Sequence, residues 1–394
     1  MRTSRWTARL AGVACTVALG LGATTAFAGT VKVGIVGPFS GPFAHYGKLF
    51  KDSVEGYIAA QGGKLAGQDI ELVYRDTGGP NPAGTRNLVQ ELVVKDKVDY
   101  LGGFVFTPNA MAAAPLAQQS KTPMVVFNAA TSEITEKSEF IIRTSYTLWQ
   151  VTVPLAQWAA KQNMKKVVTA VTDYAPGLDA EAAFKAEFQK QGGTVVESIR
   201  MPIATTDFAP FVQRIKATGA QAVYTFLPGG PPNLGFVKAY NENGLRQAGI
   251  EFLGTAETDE YDLPKFGDAA IGLKTSFHYS AAHDSAANKA FIKAIKARSA
   301  DAVANYASVG AWDGMVVIHK MIEATGGQRD GVKAVNAVRG LKWESPRGPV
   351  SIDPKTRHIT QNVYLRQVEK DKSGVLLNKE TVNFGPQADH GLNK

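Results

Sequence analysis

The sequence predicts an α/β protein made of two similar doubly wound lobes with a ligand cleft between them. Strands and helices alternate along the chain with short connections, which is typical of a parallel sheet covered by helices. The alternation occurs twice, once on each side of about residue 145. The 366 residues that follow the leader are also too many for one hydrophobic core, so two domains are expected.

Residues 1–28 are predicted to be a cleavable secretory signal rather than part of the fold. Three arginines precede an apolar run from Leu10 to Leu21, and Ala26-Phe27-Ala28 forms a small-residue cleavage site. The run is shorter than the roughly 20 residues that a membrane anchor needs. The single cysteine, Cys15, lies in this leader, so a mature chain that begins at Gly29 has no disulfide.

The mature chain opens with a strand, a glycine-rich loop and a helix. Residues 31–36 contain four β-branched side chains, Gly37-Pro38 and Gly41-Pro42 end the strand, and helical periodicity runs from Tyr46 to Ala60. Ligands of α/β proteins bind at the carboxyl ends of strands, so this loop is a candidate site. An ordinary strand-to-helix turn would have the same pattern, and the loop alone does not decide between them.

The remaining elements follow in the same alternation on both sides of residue 145. Strands are predicted at 71–74, 98–102, 123–127, 166–171, 194–198, 222–226, 251–254 and 360–368. Helices are predicted at 83–95, 110–120, 148–162, 178–191, 208–218, 234–243, 285–296, 305–324 and 331–339. The loops that follow the strands would line the cleft.

Three polar residues lie at strand-to-helix turns of the first half, namely Thr107, Asn109 and Thr131. Backbone N–H groups and the helix dipole at such a turn favour a bound carboxylate. Helix N-caps use the same residue types, so capping alone and a carboxylate site both remain open.

Aromatic and acidic residues also follow the strands. The acids Glu257, Asp259 and Glu260 form either a solvated turn or a place where one carboxylate holds an ammonium group across the cleft. The aromatic residues suit either core packing or an aromatic wall of the cleft; they are Tyr46, Phe104, Phe106, Trp149, Tyr174 and Phe226.

Patterns that carry catalysis or metal binding are absent from the sequence. There is no G-x-S-x-G, H-E-x-x-H, C-x-x-C or correctly spaced phosphate or dinucleotide loop, so neither an enzyme nor a cofactor or metal site is predicted. The net charge of +8 falls to +5 without the leader, and Lys and Arg are interspersed with Asp and Glu. Nucleic-acid binding is therefore not expected, and no later segment can span a membrane.

Six short stretches together resemble the periplasmic leucine/isoleucine/valine-binding proteins, the type I solute-binding proteins of ABC importers. The resemblance covers nearly the whole mature chain and depends on the order and spacing of the stretches. They are Val33-Gly-Ile-Val-Gly-Pro-Phe-Ser-Gly41 with Tyr46-Gly47, Tyr74-Arg-Asp-Thr77 with Asn81-Pro82, Gly103-Phe-Val-Phe-Thr107, Pro123 with Asn128-Ala-Ala-Thr131, Ile142-Arg-Thr144, and Asp173-Tyr-Ala-Pro-Gly177.

The resemblance implies which residues meet a ligand. Thr107 takes the place of a family serine that holds the ligand carboxylate, and Ala129 and Thr131 match the adjoining turn. Tyr46 matches an aromatic residue at the cleft rim, and Tyr174 matches a tyrosine of the second lobe. The acid that pairs with an α-amino group in amino-acid binders is matched most nearly by Glu257, although Thr255-Ala256 displaces it by about one residue.

The resemblance also implies the domain division and the partners. The N-terminal lobe would comprise residues 29–145 plus about 275–346, and the C-terminal lobe residues 146–274 plus about 347–394. The protein would be a periplasmic monomer that is not embedded in the membrane and delivers a small carboxylate to a membrane permease.

Two kinds of ligand stay open at this point. The family's usual ligand is a branched-chain or other hydrophobic amino acid. Some members bind aromatic carboxylates of the benzoate or cinnamate type, and the rings of Phe106 and Phe226 would suit such a ligand. A ligand-sensing regulator of the same fold is a further alternative, which the secretory signal disfavours.

Overall fold

The structure, a computed structural model, describes residues 29–393, and the predicted secretory signal lies outside them. Two sheets with helices packed on them confirm the predicted α/β architecture. The first sheet has the order β2-β3-β1-β4-β5-β6 and the second the order β12-β13-β14-β11-β10-β9-β7-β8, with β15 paired to β14.

The first sheet is parallel apart from the short β2–β3 pairing, and its strands follow the predicted ones closely. β1 lies between β3 and β4, with Val33 opposite both Leu72 and Tyr100. Its apolar side chains are buried on both faces because helices cover both sides of the sheet. The strands are β1 (Thr30–Gly37), β2 (Lys64–Leu65), β3 (Gln68–Asp76), β4 (Tyr100–Gly103), β5 (Met124–Val126) and β6 (Ile141–Arg143).

The second sheet combines five parallel strands with four antiparallel ones. β8, β7, β9, β10 and β11 are parallel, and β11 then pairs antiparallel with β14. The strands are β7 (Lys166–Thr172), β8 (Thr194–Met201), β9 (Ala222–Phe226), β10 (Glu251–Gly254), β11 (Lys274–Phe277), β12 (Lys342–Ser345), β13 (Gly348–Ile352), β14 (Ile359–Lys370) and β15 (Leu376–Gln387). The sequence pattern did not predict β2, β6, β11, β12, β13 and β15.

The helices divide between the two sheets. In the first lobe α1, α9, α10 and α11 pack together and α2 packs on α3, while in the second lobe α4 packs on α5 and α6 to α8 pack in sequence. The helices are α1 (Ala44–Ala60), α2 (Pro82–Val94), α3 (Thr107–Ser120), α4 (Leu148–Lys161), α5 (Ala175–Lys190), α6 (Ala209–Ala217), α7 (Pro231–Glu242), α8 (Leu263–Phe266), α9 (Ala286–Arg298), α10 (Tyr306–Thr325) and α11 (Gly331–Val338).

The chain passes between the lobes after β6, after β11 and before β12. Both β11 and β12 pair in the second sheet, whereas the division predicted from sequence placed residues from about 275 to 346 in the first lobe. The lobe boundaries themselves stay a prediction. None of the described helices is both long and apolar enough to cross a membrane.

Candidate functional site

The carboxyl ends of the strands in the two sheets face each other, and the lobes touch there. The Tyr46 hydroxyl on α1 accepts a hydrogen bond from the N–H of Gly229 in the second lobe at 3.1 Å. Asn305, the N-cap of α10, donates to Asp259 across the same gap at 3.0 Å. The cleft is therefore held closed by direct contacts between the lobes.

Two threonines of the first lobe meet in the cleft. The hydroxyls of Thr107 and Thr131 are 3.0 Å apart and buried. The N–H groups of these two residues have no hydrogen-bond partner among residues 29–393, and the N-cap side chain of α3, Phe106, caps none of the helix N–H groups. Because buried N–H groups are almost always paired, these two mark a place for an acceptor that comes from outside the chain.

A buried cation lies directly behind this threonine pair. The guanidinium of Arg143 is fully buried and donates to the carbonyls of Thr131 and Tyr146. The carboxylates of Asp389 and Asp179 act on its charge and partly offset the effect of burial. Burial lowers its pKa to about 10, so it remains charged at neutral pH. Its charge and the helix dipole of α3 both favour an anion at the threonines.

Ala129 and Phe106 lie beside the threonines, as predicted from the resemblance. The N–H of Ala129 donates to the carbonyl of Phe104 at 2.9 Å and is therefore occupied within the protein. The ring of Phe106 packs edge-on against Phe43, with ring centroids 5.0 Å apart. Phe104 itself is buried in the core behind the loop.

Aromatic rings from both lobes line the rest of the cleft. Tyr174, the N-cap of α5, stacks on Phe226 at the end of β9 with ring centroids 6.2 Å apart. Three further rings, Tyr146, Phe277 and Tyr306, form a cluster with centroid distances between 4.7 and 6.1 Å. Sequence reasoning missed these three. Tyr146 and Phe277 lie next to points where the chain passes between the lobes. Tyr306 is the first residue of α10, which belongs to the first lobe.

A pair of tyrosine hydroxyls joins the three-ring cluster to the rim of the cleft. The hydroxyls of Tyr46 and Tyr306 are 2.6 Å apart, so the rim contact to Gly229 continues into the cluster. Burial raises the pKa of Tyr146, Tyr174 and Tyr306 well above the ordinary value, so the rings are neutral phenols at physiological pH. Their hydroxyls can form hydrogen bonds but carry no charge.

Glu257 lies on the opposite side of the cleft and is fully buried. One carboxylate oxygen accepts from the N–H of Leu227 at 2.9 Å and the other from the N–H of Thr255. Burial raises its pKa to about 7. The acidic turn is thus not solvated, contrary to one of the two predictions, and the carboxylate is bound by the protein's own backbone.

Asp259 is the other buried acid of this turn. Its exposed fraction is only 4 %, and it accepts from the side chain of Asn305 and the N–H of Tyr261. Burial and the neighbouring acids Glu260 and Asp262 raise its pKa. The described residues contain no cluster of His, Cys, Asp and Glu arranged to hold a metal ion.

Trp149 lies in the first turn of α4, where a side chain on Gly391 would come within 2.5 Å of its indole and closer still to the Ser132 hydroxyl, beside the turn of Thr131. Its ligand-binding role stays a prediction. The eight other residues that the sequence marked as ligand-binding lie at the ends of the facing strands or in the loops and helices that follow them: Tyr46, Phe106, Thr107, Ala129, Thr131, Tyr174, Phe226 and Glu257.

Comparison with known proteins places this geometry in a family. The model of the family described as "Periplasmic binding protein" matches residues 30–373. The chain is 54 % identical to Leu/Ile/Val-binding protein homolog 6 of Brucella melitensis over 374 residues, covering 94 % of this chain and 96 % of that protein.

Two solved structures with bound ligands are also similar. The solute-binding protein of an ABC transporter from Rhodopseudomonas palustris HaA2, in complex with p-hydroxybenzoic acid, has 54 % identity and a TM-score of 0.90 over 92 % of this chain and 99 % of that one. Its counterpart from strain BisB5, in complex with 3,4-dihydroxybenzoic acid, has 44 % identity and a TM-score of 0.88 with the same coverage. The chain therefore belongs to the type I periplasmic binding protein family and is the solute-binding protein of an ABC transporter.

Proposed function

We propose that the cleft binds an aromatic carboxylate of the hydroxybenzoate type and that the lobes close on it by a hinge motion. The state of Glu257 carries the choice of ligand. An amino acid brings an ammonium group that pairs best with a fully ionised carboxylate. Burial raises the pKa of Glu257 to about 7, and each of its oxygens already accepts one backbone N–H, so it is a weakened partner for such a group. An aromatic acid brings no such group, and rings surround the remaining space.

The carboxylate of the ligand would lie at Thr107 and Thr131. One hydroxyl proton is used between the two threonines, so the other hydroxyl and the two N–H groups, which have no partner among residues 29–393, supply up to three hydrogen bonds, with the buried guanidinium of Arg143 behind them. Hydrogen bonds to a charged acceptor each contribute about 1.5–3 kcal/mol. This end of the cleft would fix the ligand's orientation.

The aromatic ring of the ligand would lie among the rings of both lobes. Phe106 comes from the first lobe, Tyr174 and Phe226 come from the second, and Tyr146 lies near the first crossing between them. Aromatic pairs contribute about 0.5–1.5 kcal/mol beyond the area they bury. A ring hydroxyl would find neutral tyrosine hydroxyls rather than a carboxylate. The 4-hydroxybenzoate-type ligands of two similar proteins support this assignment.

A branched-chain amino acid is the second candidate, and the name of the Brucella relative favours it. For that ligand Glu257, whose pKa is raised to about 7, would have to ionise fully and accept the ammonium group beside its two backbone N–H groups. In either case the protein would act as a periplasmic monomer that hands its ligand to a membrane permease, with no catalytic step and no cofactor.

A thermal-shift panel on refolded, ligand-free protein tests the proposal. It contrasts 4-hydroxybenzoate, 3,4-dihydroxybenzoate, benzoate and a cinnamate with leucine, isoleucine, valine and phenylalanine. A ligand present at about 100 times its dissociation constant stabilises the protein by roughly 2.7 kcal/mol. We expect shifts with the aromatic acids alone, together with a decrease in the radius of gyration measured by small-angle scattering. Shifts with the amino acids alone would contradict the proposed ligand.

A further inference from the structure

A histidine at the rim of the cleft bridges the two lobes. His45, in the first turn of α1, stacks on Tyr261 of the second lobe, with ring centroids 4.6 Å apart and planes 14° from parallel. Its ring also lies 4.2 Å from that of Tyr46, whose hydroxyl reaches Gly229. Both rings on this turn of α1 therefore contact the second lobe.

The second lobe is shaped to receive this imidazole. Gly230 has a φ of +89°, and a β-carbon built there would lie 2.9 Å from Cε1 of His45. A side chain at position 230 would thus be strained by the backbone and would also push the histidine away. The imidazole packs against bare backbone on one side and an aromatic ring on another.

The charges around the imidazole oppose its protonation. Lys265 lies 3.7 Å from the centroid of the Tyr261 ring, so the ring already has a cation over it. The nearby carboxylate of Asp262 is engaged by Lys265 at 3.0 Å and by the N–H of Gly230 at 2.7 Å. An imidazolium would be half-buried beside that cation with only an occupied carboxylate to compensate it.

We propose that His45 and Tyr261 form a pH-sensitive latch, which holds the cleft closed while the imidazole is neutral and weakens when it is protonated. The latch comprises His45, Gly230, Tyr261 and Lys265. It rests on the proposed closing motion, because opening the cleft separates His45 from Tyr261 and exposes the imidazole to water. Ligand affinity then depends on a group that the ligand does not touch.

The direction of the pH dependence follows from the two states of the latch. In the closed cleft burial lowers the pKa of His45 to about 4, with Lys265 acting in the same direction and Asp262 against it. In the open cleft a solvated imidazole has a pKa of about 6.5. Closure is therefore fully favoured above pH about 6.5 and loses stability as the pH falls towards 4. Between pH 7.5 and pH 5.0 the dissociation constant would rise roughly ten- to thirty-fold through this group.

The test compares wild-type protein with His45→Phe, which keeps a ring for stacking but cannot titrate. Dissociation constants for 4-hydroxybenzoate and for leucine are measured by calorimetry at pH 7.5 and pH 5.0, with circular dichroism confirming that both proteins are folded at both pH values. The ligand carboxylate, Glu257 and Asp259 titrate alike in the two proteins. The change in dissociation constant between pH 7.5 and pH 5.0, compared between the two proteins, therefore isolates the contribution of His45. Gly230→Ala is a second variant, expected to weaken binding at both pH values because it displaces the ring.

The two ligands separate failure of the latch from failure of the proposed ligand. The latch is supported if wild-type affinity falls at least about tenfold more than that of His45→Phe between pH 7.5 and 5.0. Equal pH dependence in the two proteins would overturn it. Binding of leucine but not 4-hydroxybenzoate would reject the proposed ligand and still measure the latch with leucine, whereas binding of neither would overturn both.

Discussion

The two faces of the cleft differ in how their polar groups are satisfied. On the first lobe the N–H groups of Thr107 and Thr131 have no partner among the described residues, and the buried guanidinium of Arg143 lies behind them. On the second lobe both oxygens of Glu257 are bound by the backbone of its own lobe. The first face therefore needs a hydrogen-bond acceptor from a ligand, whereas the second face needs no hydrogen-bond donor from one.

This difference shows that residue type alone does not define a binding site. A buried carboxylate pairs best with an ammonium group when it is fully ionised and has lone pairs left to accept, and the raised pKa and two backbone hydrogen bonds of Glu257 reduce both. The second lobe also contributes rings and neutral hydroxyls, which suits a ligand with charge at one end only.

The largest effect is expected on the first face. Replacing both Thr107 and Thr131 with valine removes the two hydroxyls and leaves a carboxylate with fewer donors, so affinity for 4-hydroxybenzoate should fall about 100-fold. Calorimetric titration measures the change. Thr85→Val is the matched control, because the buried Thr85 hydroxyl bonds only within the start of α2. It should cost stability but not affinity, and an unchanged affinity in the double variant would contradict the carboxylate position.

On the second face Glu257→Gln should change stability rather than binding. The folded-state pKa of about 7 lies above the usual value, so Glu257 contributes stability at low pH that is lost as the pH rises through about 7. Wild-type stability relative to the variant should thus fall by about 2 kcal/mol between pH 5 and pH 8. Urea unfolding at the two pH values measures this difference.

The same variant also discriminates between the two ligand classes. Affinity for 4-hydroxybenzoate should stay within about threefold of wild type, since Glu257 is expected to make no contact with that ligand. A loss of affinity of 100-fold or more for leucine, should leucine bind, would instead give Glu257 the ammonium-binding role.

A smaller effect is expected at the contact between the faces. Tyr46→Phe removes the acceptor for the Gly229 N–H and should weaken binding about three- to tenfold, in line with one neutral hydrogen bond. Tyr306→Phe is the control, since it removes only the partner hydroxyl on the same lobe. A larger loss in the control would place the important contact within the first lobe.

The smallest effect is expected at Trp149. The structure places its indole beside Gly391 and the Ser132 side chain. Trp149→Phe keeps an aromatic ring there and should leave affinity for 4-hydroxybenzoate unchanged within about twofold. Isothermal titration calorimetry measures the affinity. A loss comparable to that of the double threonine variant would show that Trp149 contributes to ligand binding.

The sequence predicted the sheet and helix order well because most elements are locally periodic. β9 and β10 match their predicted bounds, and α4 and α11 differ from theirs by one residue at one end. The hairpin of β12 and β13 and the last strand β15 were missed. Their stability comes from pairing with β14, which no local pattern reveals.

The candidate site was predicted less completely for a related reason. Thr107 and Thr131 follow strands and fit a recognisable turn, so the first face could be anticipated. Tyr146, Phe277 and Tyr306 meet only after the chain has crossed between the lobes. That Glu257 folds back on the N–H groups of Leu227 and Thr255 depends on the tertiary path of two loops, which residue spacing does not encode.

Isothermal titration calorimetry of the ligand-free protein at pH 7.5 tests the central claim most directly. Three ligands are compared: 4-hydroxybenzoate, its neutral carboxamide and leucine. We expect one-to-one binding of 4-hydroxybenzoate at least about 100-fold tighter than either of the others, a difference of roughly 2.7 kcal/mol. Tighter binding of leucine, or equal binding of the acid and the carboxamide, would contradict an anion site on the first lobe facing a second lobe that binds no ammonium group.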